Sequence, residues 1–66
     1  MTIWNDIKEL RQTRGVTQEE LAKAVGVSRQ TVVAMEKGNY VPSLLLALHV
    51  AEYFHVPVET VFRSQK

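Results

Sequence analysis

Gly26, Val27 and Ser28 stand where one helix must stop and another must start within three residues. Upstream, Thr17 is followed three positions later by Glu20. That is the spacing of a capping box, in which the threonine oxygen accepts from the Glu20 amide and the glutamate reaches back. Leu21, Ala22 and Val25 then recur on one face. Gly26 takes a left-handed conformation cheaply and so ends the helix. Ser28 has the chemistry of an N-cap for the next helix, whose Val32 and Met35 face inward at i, i+3. Two short helices joined by so tight a turn pack at a steep angle, and Ala22 is small where their backbones approach. A generic helical hairpin has no reason to restrict all of these positions at once.

The same punctuation divides the rest of the chain. A first helix is expected from about Asn5 to Thr13, with Ile3, Ile7 and Leu10 at helical spacing, Trp4 beside them and Gly15 ending it. Gly38 and Asn39 close the third helix, and Tyr40-Val41-Pro42 is extended because a residue before proline avoids the helical region. Ser43 caps a fourth helix running to about Phe54, with Leu44, Ala47, Leu48, Ala51 and Phe54 as its core stripe. Pro57 suits the first turn of a short fifth helix carrying Val58, Val61 and Phe62. Thr2-Ile3-Trp4 and Val61-Phe62-Arg63 allow two readings, a short antiparallel pairing of the termini or fraying, and periodicity does not choose between them. The expected fold is all-α, five helices in a single domain over residues 1–66.

With 66 residues the chain buries a modest core and needs additional stabilisation. It has no cysteine, which removes disulfides and thiolate metal sites. His49 and His55 do not make a ligand set for structural zinc. Close helix packing and dimerisation remain. The apolar run Leu44 to Leu48 is too short to span a bilayer, and Met1 to Leu10 lacks the order of a signal peptide, so a cytoplasmic protein is expected. No glycine-rich phosphate loop is present, and the pair Glu52 and His55 has no nucleophile beside it, so neither catalysis nor a cofactor is expected. The net charge is +1, but six of the eight basic residues lie between positions 8 and 37, against four of the seven acids. That mild excess suits a polyanion and equally suits a solvated face.

The runs Thr17-Gln18-Glu19-Glu20-Leu21-Ala22, Gly26-Val27-Ser28-Arg29-Gln30-Thr31-Val32, Glu36-Lys37-Gly38 and Pro42-Ser43-Leu44 together resemble the Xre or Cro/C1-type regulator family. The resemblance covers Ile7 to Phe62 and is greatest to short stand-alone dimeric members. It implies a five-helix, lambda-repressor-like domain with a helix-turn-helix at about residues 18–37. It also implies double-stranded DNA as partner, bound by a two-fold homodimer with the motif's second helix in the major groove.

Within that motif the outward positions of the third helix are the candidates for base contact: Ser28, Arg29, Gln30 and Val33. Arg29 suits guanine O6 and N7, and Gln30 suits adenine N6 and N7. Ser28 reaches a base or a phosphate, or stays occupied as the cap. Val33 meets a thymine methyl or is partly buried within the domain. The resemblance implies a phosphate contact for Gln18 at the start of the motif's first helix, where orphan amides favour an anion. Lys37, Asn39, Tyr40 and Arg14 are further phosphate candidates. For all of these an ordinary solvated surface is the competing reading. Arg11 and Glu36 match a pair that, in family members, locks the third helix to the first, with two independent surface charges as the alternative reading.

Leu45 and Leu46 stand where many family members carry polar residues. With Val41, Val58, Val61 and Phe62 they give more apolar surface than one small domain hides, and a self-complementary dimer patch would use it. Val41, Leu45, Val58 and Val61 are the interface candidates, with plain core packing as the alternative. The expected activity is sequence-specific repression from a palindromic operator, without a small-molecule effector. A DNA-binding antitoxin, or a protein-interaction adaptor of a toxin–antitoxin or phage-type switch, is the alternative.

Overall fold

The computed structural model describes residues 2–65. Its elements follow the order β1 (Thr2–Asn5), α1 (Ile7–Thr13), α2 (Gln18–Val25), α3 (Arg29–Glu36), α4 (Leu44–Phe54), α5 (Val58–Val61) and β2 (Phe62–Gln65). Five helices pack around one core, and the two strands pair antiparallel with Thr2 opposite Gln65 and Asn5 opposite Phe62. The terminal pairing that periodicity left open is therefore present.

The starts of α2, α3 and α4 follow the capping chemistry. Thr17 Oγ1 accepts from the Glu20 amide at 3.0 Å while Glu20 Oε1 accepts from the Thr17 amide at 2.9 Å. Ser28 and Ser43 accept in the same way from the amides of Thr31 and Leu46, both at 3.1 Å. Helix ends share one closure. At the end of α3, the Gly38 amide donates to the Met35 carbonyl and the Asn39 amide to that of Ala34, at 3.0 and 2.9 Å. That is a Schellman motif, with Gly38 at φ +79°. The turn between α2 and α3 closes on the Ala22 carbonyl, with Gly26 at φ +79°. At the end of α4 the left-handed position is filled by His55, φ +58°, with no glycine to relieve it.

The core comprises Ile7 from α1, Leu21, Ala22 and Val25 from α2, and Val32 and Met35 from α3. Leu46, Ala47, Val50, Ala51 and Phe54 from α4, together with Val61, complete it. Three expectations need correction. First, α1 begins at Ile7, since the chain through Asn5 is committed to β1 and pairs with the C-terminal strand. Second, the buried stripe of α4 is rotated: Leu46 and Val50 point inward, whereas Leu44 and Leu48 are 73% and 42% exposed. Apolar residues fill nearly every position of this helix, so spacing alone fits more than one face. Third, Pro57 is the N-cap of α5 and lies one position ahead of its first turn.

Candidate nucleic-acid interface

Residues 29, 30, 33 and 37 fall on one arc of α3 and its cap, opposite the buried Val32 and Met35. Arg29, Gln30 and Lys37 are exposed, and Val33 is half-buried. The exposed members bring a forked donor, a carboxamide and an ammonium to one surface, the groups that pair with base edges and phosphates. Ser28 is placed differently. Its hydroxyl accepts from the Thr31 amide and lies 3.0 Å from Thr31 Oγ1. That engagement is the capping role.

Behind this arc, α3 is held by a polar clamp. Arg11 Nε donates to Glu36 Oε2 at 2.8 Å, and Nη2 lies 3.3 Å from Oε1. The arginine also donates through Nη1 to the Val16 carbonyl at 2.9 Å. Gln18 Nε2 donates to the same Glu36 Oε1 at 3.1 Å. The two charged side chains are only 12% and 6% exposed. Among the described residues no buried side-chain nitrogen or oxygen is left without a partner. The clamp thus joins α1, α2 and α3 at one point.

Gln18 therefore has a partner within the protein, and its carboxamide is oriented by Glu36 before any ligand arrives. Its residue lines an open groove with Thr17, Glu19 and Arg29, so the start of α2 and the start of α3 face one shared concavity. Lys37, Asn39 and Tyr40 are exposed beyond the end of α3. Arg14 is drawn elsewhere: its guanidinium carbon stands 5.2 Å from the centroid of the Phe54 ring, a cation–π arrangement. That contact accounts for its position without a ligand.

The terminal ribbon adds a contact that the pattern of residues did not single out. Asn5 Nδ2 donates to the Met35 carbonyl at 2.7 Å, and its Oδ1 accepts from the Ile7 amide at 3.2 Å. An asparagine whose side chain accepts from the amide two residues on forms an Asx turn, a local signal ahead of the helix. Reading Asn5 as part of the helix concealed it. Next to it, Asp6 Oδ2 receives Arg63 Nη1 at 2.9 Å. That hydrogen bond and the nearby positive charge lower the Asp6 pKa. Glu20 is likewise held below its ordinary value, first by the Thr17 backbone N–H and then by its hydroxyl.

The apolar surface is concentrated at the start of α4. Val41 and Leu45 are 69% and 63% exposed, beside Leu44. Leu48 continues this surface into a groove formed with Ala51, Val56, Pro57 and Val58. Val58 is half-buried against the core. Val61, the last residue of α5, has no exposed surface, because it packs inside this chain's own core. It has nothing to offer a partner, and the candidate interface shifts to the outward leucines of α4. Among the described residues no helix is long and apolar enough to cross a membrane.

A family profile described as helix-turn-helix matches residues 7–61. A Bacillus subtilis protein described as an uncharacterized HTH-type transcriptional regulator, YgzD, is 57% identical over 58 residues, covering 88% of both chains. The transcriptional repressor RstR of the cryptic phage CTXphi in Vibrio cholerae is 38% identical over 52 residues, covering 79% of this chain and 47% of that protein. Among solved structures, the restriction-modification controller protein C.AhdI of Aeromonas hydrophila superposes with a TM-score of 0.76 at 31% identity, covering 82% of each chain.

Proposed function

This chain belongs to the Xre/Cro-C1-type helix-turn-helix family of DNA-binding transcriptional regulators, and from that premise we propose that it represses transcription as a homodimer seated on a palindromic operator. The observation that carries the proposal is the anchored α3. Its inner face is fixed by Val32, Met35 and the Arg11–Glu36 clamp, while its outer arc presents Arg29 and Gln30 to solvent. A rigid helix with forked donors and a carboxamide on its first turn meets the requirement for reading base edges. Arg29 reads a guanine and Gln30 an adenine. Val33 contacts a thymine methyl with the part of its surface that remains open, and Ser28 contributes through its position at the helix start.

Gln18, Lys37, Asn39 and Tyr40 flank that arc and set affinity and register through phosphates. Arg14 takes a secondary part, since leaving Phe54 costs it a favourable contact. A second copy covers the outward side chains of Val41, Leu44, Leu45 and Leu48, with Val58 at the margin. The exposed Leu44, Leu45 and Leu48 fall on one face of α4 with Val41 just ahead of it, an arrangement that suits an isologous patch. Two copies then place their α3 helices about 34 Å apart in successive major grooves. Occupying a promoter is enough for repression, and a phage repressor among the relatives supports that sign.

The test is selection of bound sites from a random duplex library, run in parallel with Arg29→Ala. An inverted repeat whose half-sites change at one position in the variant supports the proposal. Salt-sensitive binding with no enriched sequence rejects it.

A further inference from the structure

Asn5 is the residue at which the terminal ribbon, the start of α1 and the end of α3 meet. Its carboxamide works in two directions at once, accepting from the Ile7 amide and donating to the Met35 carbonyl thirty residues away. On one side it stands opposite Phe62 in the ribbon, a residue packed against the core. On the other, the neighbouring Asp6 amide donates to the Val61 carbonyl at 2.9 Å. Asn5 is therefore fixed by the ribbon before it touches α3.

The end of α3 needs such a fixture. Val32 and Met35 resist separation of the helix from the core, but apolar contact is non-directional and leaves sliding and roll weakly determined. Hydrogen bonds supply direction. One set comes from the bundle, through Arg11 and Gln18 to Glu36. The other comes from the ribbon, through Asn5 to a carbonyl that also accepts from Gly38. We propose that Asn5 is a positioning residue for DNA readout, coupling the β1–β2 ribbon to the register of α3 on its operator. The coupling rests on the DNA-binding reading above and adds a residue remote from the DNA-facing arc.

The test compares the wild type with Asn5→Asp, using the operator found by selection and a scrambled duplex at fixed salt. Aspartate keeps the size and the acceptor for Ile7, but opposes the Met35 carbonyl with a carboxylate oxygen. At neutral pH the variant's preference for operator over scrambled duplex falls about tenfold, the loss expected when a hydrogen-bonded carbonyl faces a second acceptor. Binding to the scrambled duplex stays within about twofold, since phosphate contacts dominate it. As pH falls from about 7.5 into the ordinary carboxylate range at about 4, the variant's preference recovers relative to the wild type, because the protonated carboxyl again donates. Asn5→Ser accepts from Ile7 but is too short to reach Met35, and it shows the loss without the recovery. It carries the same expectation if Asn5→Asp does not fold.

A folded Asn5 variant with wild-type preference at all pH values overturns the proposal alone. So does an equal loss on both duplexes. A wild-type chain with no preference overturns the DNA reading, and this proposal with it.

Discussion

Arg11 and Glu36, 25 residues apart in sequence, form a two-pronged ion pair at 2.8 and 3.3 Å between the first helix and the last residue of α3. The pair is largely shielded from water, and the remaining donors and acceptors around it are met by Val16 and Gln18. Coulomb attraction between shielded charges is offset by the cost of removing them from water. The pair's value is therefore mainly geometric: it fixes where the end of α3 lies against α1.

That balance predicts an asymmetry. Arg11→Met leaves Glu36 as a shielded charge without its partner and costs about 3 kcal/mol. Adding Glu36→Leu to the same protein returns most of that loss. Urea unfolding of the wild type, the single and the double variant measures both. A single variant that costs under about 0.5 kcal/mol places the pair with ordinary surface salt bridges.

Arg29→Ala lowers affinity by about 1–3 kcal/mol at one guanine of each half-site and relaxes preference there. Competition binding with single-base operator variants reads this directly. A uniform loss on every sequence makes Arg29 a phosphate contact.

Burial separates two apolar candidates that look alike in sequence. Leu45→Asp, on the exposed start of α4, yields a folded monomer with weak operator binding. Val61→Asp places a carboxylate in the core and leaves the chain unfolded at neutral pH. Sedimentation together with circular dichroism distinguishes these outcomes. A folded, dimeric Leu45→Asp moves the interface elsewhere.

His55→Gly raises stability by about 1 kcal/mol. A side chain in the left-handed region costs about 1–2 kcal/mol, and glycine's greater freedom in the unfolded chain cancels part of the gain. The imidazole is exposed, so little contact is lost with it. For a domain of this size the melting temperature then rises by about 4–8 °C. An unchanged or lower melting temperature means that the histidine ring makes a compensating contact.

Asp6 and Glu20 make stability fall in acid. Folding lowers both pKa values, so the folded state favours their ionised forms. Their contribution is complete above the ordinary carboxylate range and is lost as pH falls through the lowered values. Asp6→Asn removes its share, and the melting temperature depends less steeply on pH below about 5. Glu20 is exposed and Asp6 is half-exposed, so raised salt weakens the charge attraction between Asp6 and Arg63. An identical acid slope in the variant removes the Asp6–Arg63 pair from the account.

The elements written in capping and closing residues were legible from the sequence. Thr17, Ser28 and Ser43 each begin a helix, and the αL positions at Gly26 and Gly38 end one, because these are local interactions within a few residues. The Arg11–Glu36 pair was legible only through likeness to a family, since nothing local links the two. Asn5 is legible only in half: its bond to the Ile7 amide is local but is hidden by reading the residue as helical, whereas its bond to Met35 exists only in the folded chain. On α4, Leu44, Leu45, Leu46 and Leu48 satisfy helical spacing on more than one face. The choice of Leu46 and Val50 for the interior comes from how α2 and α5 pack against the helix, and no single-helix pattern encodes it.

The pairing of β1 with β2 also bears on the order of folding. Hairpin-like contacts between successive helices close short loops, whereas Asp6 and Arg63 are 57 residues apart. Bringing such distant segments together carries a larger entropy cost and is repaid only once the intervening helices are in place. The ribbon is thus expected to zip last and open first. Its partial opening releases Asn5 from Met35 while the core stays intact, giving the chain a native-like substate in which the bundle is folded but α3 has lost one of its two tethers.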